Sequence, residues 1–365
     1  MKKLLVLAGE ESGVIYARRI ADKARELFPD VEVRGYGDYG FDVADLAVFG
    51  FWEVLKRIFF FFRVRRVMEK AINEWRPDAV CTVDYPGMNL RLAAYAKRKG
   101  VRAVHVVCPQ VWAWRSGRIP KIEASLDGLC CFFPFEPSLF KPSFAQFIGH
   151  PLIEEFPQTL NQERDKSLLA ILPGSRLGEI ERILPVLLDA IEGLDCRPVI
   201  PAANEKAKAL IDKIVSSRNA KVEVRLGGAR EVLHRARCAV AASGTVTLEA
   251  ALAGCPTILV YKVGPFLAFM AKRLLNIKHV GLANIVWEKC RASAEGNHKD
   301  ESVWGGFPML ELLQEDFTAE SVRNQLKGLL FDDNFSSTIQ KRLAEIAGSL
   351  RLEGDSVTKI VRFLV

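Results

Sequence analysis

Histidine is scarce in this chain: of 365 residues only five are His, at 105, 150, 234, 279 and 298, and none stands at His-x-x-x-His or a comparable ligand spacing. The eight cysteines, at 81, 108, 130, 131, 196, 238, 255 and 290, include no Cys-x-x-Cys pair. That sets aside zinc ribbons and dithiol redox motifs. The cysteines stand mostly beside apolar, strand-like runs, so buried reduced thiols are expected, and neither a metal nor a cofactor. Gly-x-x-x-x-Gly-Lys-Ser/Thr is absent, and Gly9-Glu10-Glu11-Ser12-Gly13 lacks the full Gly-x-Gly-x-x-Gly spacing; NTPase and dinucleotide-oxidoreductase readings fall back accordingly. No apolar stretch approaches the ~20 residues that span a bilayer, since even Ile58–Phe62 is bracketed by Arg57 and Arg63. Met1–Leu7 is cut short by Gly9-Glu10-Glu11, below the ~7–15 apolar residues of a signal peptide, and reads as a first strand.

What remains is ordinary globular composition, 49% hydrophobic and 26% charged, on a chain long enough for two cores at the usual ~100–200 residues per domain. The net charge of +7 is dispersed among acidic residues. Nucleic acid is therefore not the expected partner, whereas phosphorylated small molecules and an anionic membrane surface both suit a modest positive surplus.

Short apolar runs alternate with helical patterns: Lys3–Ala8, Val31–Tyr36, Ala79–Val83, Ala103–Val107, Leu129–Phe133 and Phe147–Gly149. After a polar stretch at 152–166 the alternation restarts with Leu168–Leu172, Pro198–Pro201, Lys221–Arg225, Cys238–Ala242 and Thr257–Tyr261, with helices expected at 178–193, 204–216, 229–235 and 245–253. This is the pattern of an α/β chain with two Rossmann-like, doubly wound domains. We place the first at 1–155, the second at 165–335, and C-terminal helices at 336–365 that can pack back on the first domain. Val286–Met309 reads as a long loop and candidate lid.

Several strand ends carry chemistry. In Cys238–Glu249 an apolar strand meets the small turn Ser243-Gly244-Thr245 and then a helix, so backbone N–H groups and the helix dipole can hold a phosphate, with Glu249 in reach of ribose hydroxyls; the same pattern fits a helix merely capped by Ser243 or Thr245. At Leu172-Pro173-Gly174-Ser175-Arg176, Arg176 can clamp a pyrophosphate or be an exposed turn residue. Asp84, ending Ala79–Val83, can act as a general base or cap the helix that follows. Pro109-Gln110-Val111-Trp112-Ala113-Trp114-Arg115 can line a cleft or pack a loop on the core. Phe51–Met68, with Phe59, Phe60, Phe61, Phe62 and Arg63 at its centre, has the make-up of an interfacial membrane segment, although a buried or oligomer-covering helix pair fits as well. Phe266–Lys278 is a weaker second candidate of the same kind.

Read in order, Ala8–Gly13, Asp84-Tyr85-Pro86, Pro109–Arg115, Pro134-Phe135-Glu136, Gly149-His150-Pro151, Leu172–Arg176, Ala242–Glu249 and Glu311–Glu315 resemble the motifs of the lipid-A-disaccharide synthase family. The resemblance implies a GT-B glycosyltransferase that passes 2,3-diacylglucosamine from UDP to 2,3-diacylglucosamine 1-phosphate with inversion, giving a β-1,6-linked disaccharide phosphate. It implies a UDP site from Arg176, Ser243, Gly244, Thr245, Glu249 and Asn284, and Asp84 as catalytic base. Glu10, Ser12, Gly13, Asn89, Gln110, Trp112, Trp114 and Arg115 would serve the acceptor or cleft, at the cytoplasmic face of the inner membrane. Val14 stands where the family has Asp, and Gly87-Met88 where Asp-Phe is common, so the acceptor side is the more open one. A UDP-sugar 2-epimerase, a glycosyltransferase with another acceptor and a non-enzymatic binding module are the competing readings.

Overall fold

The computed structural model describes residues 1–42, 46, 57–114, 116–156, 163–264, 278–291 and 303–365. They form two compact units, Met1–Pro151 together with Leu352–Val365, and Leu152–Arg351.

The first unit runs β1 (Lys3–Ala8), α1 (Glu11–Leu27), β2 (Glu32–Arg34), α2 (Ile58–Trp75), β3 (Ala79–Val83), α3 (Pro86–Arg98), β4 (Arg102–Val106), α4 (Ile119–Ser125), β5 (Gly128–Cys131) and β6 (Ala145–Phe147). The strands are all parallel, in the order β2-β1-β3-β4-β5-β6. Because side chains alternate across a strand, Leu5 and Leu7 enter one buried layer while Leu4, Val6 and Ala8 enter the other, which is why these strands are apolar throughout. The order in which strands are added reverses between β1 and β3, and the crevice at their C-terminal ends is where a doubly wound sheet offers its binding site.

The second unit contains β7 (Asp165–Leu172), α5 (Leu177–Ile191), β8 (Arg197–Ala202), α6 (Glu205–Ser217), β9 (Glu223–Leu226), α7 (Ala229–Arg235), β10 (Ala236–Ala242), α8 (Thr245–Leu252), β11 (Thr257–Tyr261), α9 (Leu282–Arg291), β12 (Met309–Leu313), α10 (Ala319–Phe331) and α11 (Asp333–Leu350). Its parallel order, β12-β11-β10-β7-β8-β9, puts the switch point between β7 and β10.

The final helix, α12 (Ser356–Phe363), belongs to the first unit, where Val357, Ile360, Val361 and Leu364 join the layer formed with Ile20 and Ala24 of α1. Asp355 caps it through the N–H groups of Val357 and Thr358. Gly128 makes room for it: a Cβ there would lie 2.4 Å from the Phe363 ring. The boundaries thus differ from those expected from sequence, since α11 stays with the second unit and only the residues from Leu352 onward return.

Two further expectations change, and the start of α1 becomes definite. Residues 286–291, assigned to a loop, complete α9, and Met309 opens β12 rather than closing that loop; residues 292–302 lie outside the described residues. The helix α1 starts at Glu11, so the turn after β1 is Gly9-Glu10 alone. Finally, α2 is one helix that divides its aromatics: Phe60 and Phe61 pack on the core, while Phe59 and Phe62 are 83% and 56% exposed, next to exposed Arg63. Residues 51–56 and 265–277, which hold the rest of the two interfacial candidates, lie outside the described residues. Among the described residues no helix is long and apolar enough to cross a membrane.

Candidate active site

At the switch point of the second unit lies a cavity of about 600 Å³, lined by the C-terminal ends of β7, β8 and β10 and the Gly227-Gly228 turn. Ser243, Gly244, Thr245, Arg176 and Glu249 all border it. Gly244 is the N-cap of α8, and no side chain caps that helix, so Ser243 and Thr245 do not play the capping role that the sequence left open. The first-turn N–H groups that helical bonding leaves unused therefore face this end of the sheet. Gly174 has φ +109°, and a Cβ there would sit 2.7 Å from the Glu179 carboxylate, so the turn that carries Arg176 requires glycine.

Each cation of the cavity is held by a carboxylate. Arg176, 76% exposed, pairs with Glu179 at 3.0 Å. Arg230 donates to Glu249 Oε1 through Nε at 3.0 Å and Nη2 at 2.9 Å. Sequence reading missed Arg230 and Glu179. The signal was there in part: Arg230 follows the Gly227-Gly228 pair at the end of β9, both glycines at φ near +70°, and Glu179 lies one helical turn beyond Arg176.

Asn284 is placed differently from expectation. It is 1% exposed and is not among the residues that line the cavity. Its Nδ2 donates to Met309 O and Glu311 Oε1, and its Oδ1 accepts from Met309 N, so its amide ties α9 to β12. Glu311 also accepts from the N–H groups of Val280 and Gly281; these hydrogen bonds and the one from His279 hold its carboxyl below the ordinary range despite burial. The pair sets where α9 begins rather than offering groups to a ligand.

In the first unit, Asp84 and Tyr85 follow β3 with φ of +50° and +51°, and Val107 follows the neighbouring β4 at +78°. Three adjacent non-glycine residues in the left-handed region, one of them β-branched, mark a strained rim of the kind concentrated at functional sites. The Asp84 N–H donates to Val106 O, and Asp84 Oδ1 accepts from Tyr85 N at 2.8 Å. Glu10 is close enough for its carboxyl to be raised, first by burial and then by the charge of Asp84. Gly9 admits the Tyr85 ring, which would lie 2.4 Å from a Cβ at that position. Gly13 is buried in the first turn of α1, and Val14 is half-buried on the same helix.

Asn89 also departs from its expected role. It is fully buried: Nδ2 is shared among Leu7 O, Val83 O and Asp84 O, and Oδ1 accepts from Tyr36 OH at 2.8 Å. This leaves it no group for an acceptor, and it instead knits the ends of β1 and β3 beneath Asp84. Gln110 is exposed, Trp114 is 40% exposed, and Trp112 is half-buried, donating from Nε1 to Glu136. Arg115 and the side chain of Ser12 lie outside the described residues.

The dispersed cysteines do meet at one point. Cys108 Sγ, Cys131 Sγ and a Glu136 carboxylate oxygen lie within 4.8 Å of one another, all buried, a combination of metal-ligating type that linear spacing does not reveal. The group is closed by its own hydrogen bonds, since Glu136 accepts from Phe133 N and Trp112 Nε1 and Cys108 donates to Pro109 O. Burial pushes the Glu136 carboxyl up to about 7 against the effect of those donors.

Residues 4–334 match the family model described as lipid-A-disaccharide synthetase. The chain belongs to that family. A lipid-A-disaccharide synthase of Coxiella burnetii (strain Dugway 5J108-111) is 31% identical over 391 aligned positions, covering 100% of this chain and 99% of its own length. One from Trichlorobacter lovleyi is also 31% identical, over 94% of this chain and 92% of its own. Among solved structures, the calicheamicin glycosyltransferase CalG4 superposes with TM-score 0.61 at 15% identity, covering 100% of this chain and 98% of its own. Acinetobacter baumannii MurG gives 0.58 at 13% identity, over 100% and 99%. An S. aureus MnaA structure with UDP gives 0.60 at 14%, over 99% and 95%. The structural likeness establishes the GT-B fold, and the family membership makes the chain a glycosyltransferase. UDP-GlcNAc 2-epimerases share the fold at 12% identity, but the family match does not favour the epimerase reading.

Proposed function

We propose that this enzyme transfers 2,3-diacylglucosamine from its UDP ester to O6 of 2,3-diacylglucosamine 1-phosphate. The observation that carries the nucleotide half is the 600 Å³ cavity at the β7/β10 switch point, where an uncapped helix start, two arginines and Glu249 converge. Arg176 and the Ser243–Thr245 turn stabilise the pyrophosphate as it departs, and Glu249 accepts from the ribose. Positive charge from arginine and helix N–H groups serves in place of a metal ion.

In the acceptor half, Asp84 takes the O6 proton while O6 bonds to the anomeric carbon and the carbon–oxygen bond to UDP breaks, its electron pair leaving with UDP; attack from the opposite face inverts the centre. Burial and then the charge of Asp84 raise the carboxyl of Glu10 next to it, so acidic groups gather at this rim. Both substrates carry acyl chains, and exposed Phe59 and Phe62 beside Arg63 supply an apolar and cationic contact with the cytoplasmic membrane face.

Asp84→Asn tests the assignment. Removal of a general base lowers kcat by roughly 10²–10⁴-fold, and UDP affinity, measured calorimetrically, stays as in the wild type because Asp84 and the nucleotide cavity lie in different units. Wild-type turnover by that variant would remove Asp84 from the role. Formation of UDP and disaccharide phosphate from the two acylated substrates tests the reaction itself.

A further inference from the structure

We propose that Arg230 is a positioning residue for Glu249 and thereby sets the preference of the site for ribose over 2′-deoxyribose. The inference rests on the nucleotide reading above and extends it to a residue with no assigned role. Both Nε and Nη2 of Arg230 donate to the same oxygen, Glu249 Oε1, at 3.0 and 2.9 Å. That oxygen is thereby occupied and held in place by two charged donors. Oε2 is the oxygen left to accept from a ligand. A 2′,3′-diol presents two O–H donors side by side, the complement of a fixed carboxylate oxygen with two lone pairs.

Arg230 is itself held on its other sides. Its Nη1 donates to Glu155, in the segment that opens the second unit, and its guanidinium lies 5.8 Å from the centre of the buried Phe156 ring. The Glu249 side chain is 17% exposed against 44% for Arg230, so the carboxylate is the sheltered partner and the arginine its outer support. Without Arg230, Glu249 can turn among rotamers and its carboxylate faces the cavity only part of the time, a loss that falls on the diol contact and not on the phosphates.

The experiment measures the Kd of the full-length protein for UDP and for 2′-deoxy-UDP in the wild type, Arg230→Ala, Arg230→Lys and Glu249→Ala. A hydrogen bond to a charged group discriminates by roughly ten- to hundredfold, and this ratio is the readout. Arg230→Ala should weaken UDP by about that factor, weaken 2′-deoxy-UDP much less because only its 3′-hydroxyl contact is at stake, and bring the ratio close to one, as Glu249→Ala does. Arg230→Lys keeps the charge without the paired donors and should not restore the ratio. For the UDP-sugar, KM should rise in Arg230→Ala with kcat little changed, since the ribose contact is the same in ground and transition states. Equal weakening of both nucleotides in Arg230→Ala would show that Arg230 acts on the phosphates and overturn the proposal, as would full recovery of the ratio by lysine. If Glu249→Ala alters neither nucleotide, the nucleotide reading of the cavity itself fails. If Glu249→Ala collapses the ratio and Arg230→Ala does not, only the role of Arg230 fails.

Discussion

Removing α12 should unfold the first unit while leaving the second intact. Three of its side chains, Val357, Ile360 and Val361, and Leu364 just after it are 0–3% exposed. At roughly 1.5–3 kcal/mol per buried aliphatic side chain, their burial contributes about 6–12 kcal/mol, an upper estimate because an unfolded chain already hides some apolar surface. A domain has only about 5–15 kcal/mol in total, so deletion of Leu352–Val365 takes most or all of the stability of the first sheet. It also removes the bond from Arg102 Nη2 to Phe363 O. Ile360→Ala alone should cost about 2–5 kcal/mol. With two units a single unfolding midpoint is poorly defined, so the assay is amide hydrogen exchange followed peptide by peptide. In the deletion variant β1 and β3 should lose protection while β7 and β10 keep theirs, and Ile360→Ala should speed exchange in the first pair only. If β1 and β3 exchange as slowly in the deletion variant as in the intact chain, the assignment of α12 to this core is wrong.

Three other outcomes follow from the buried groups and the exposed aromatics. His105 and His150 are buried neutral, with pKa lowered to about 3 and about 4 by burial, while burial raises Glu136 to about 7. Between about pH 4.5 and 6.5 the unfolded chain binds two more protons at the histidines and one fewer at Glu136. The first unit should therefore lose about 1.4 kcal/mol per pH unit on acidification over that window, and Glu136→Gln should steepen the slope to about twice that; an unchanged or shallower slope in denaturant titrations counts against it. Phe59→Ser with Phe62→Ser should reduce flotation with anionic liposomes while leaving the fold unchanged, because these two rings are exposed whereas Phe60 and Phe61 pack on the core; undiminished flotation removes the membrane role. Asn89→Ala leaves the carbonyls of Leu7, Val83 and Asp84 and the hydroxyl of Tyr36 without their buried partner, so it should destabilise the first unit by about 1–3 kcal/mol and lower kcat, whereas a direct acceptor contact would raise KM with stability intact.

Strands buried on both faces read as continuous apolar runs, and β1, β3 and β11 stand where those runs stand. The cavity residues that follow a strand end directly, Arg176 and Ser243–Glu249, were legible for the same reason: topology brings strand ends together, and the turn after each strand is local in sequence. What was not legible depends on partners far along the chain. Nothing near Arg230 announces Glu249, 19 residues on, or Glu155, 75 residues back. Asn89 and Asn284 have the polarity of ligand-binding residues, and only the positions of the facing carbonyls show that their amides are already used. Cys108, Cys131 and Glu136 meet because β4 and β5 are neighbours, which no spacing rule encodes. The end of the chain could be read as helical, but whether α11 or α12 returned to the first unit depended on which apolar face, that of α1 or that of the second sheet, each was shaped to meet.

The return of α12 also orders events during synthesis. The 200 residues of Leu152–Arg351 are made between the two halves of the first unit, an interval of roughly 10–40 s at ordinary ribosomal speeds. Throughout it the apolar face of α1, with Ile20 and Ala24, has no α12 to cover it, whereas at its end the second unit has everything it needs to fold. The N-terminal half is thus the last to be finished. A nascent chain of this protein is exposed to aggregation and chaperone capture at its oldest part, and a slowly translated stretch in the second unit would lengthen that exposure rather than relieve it.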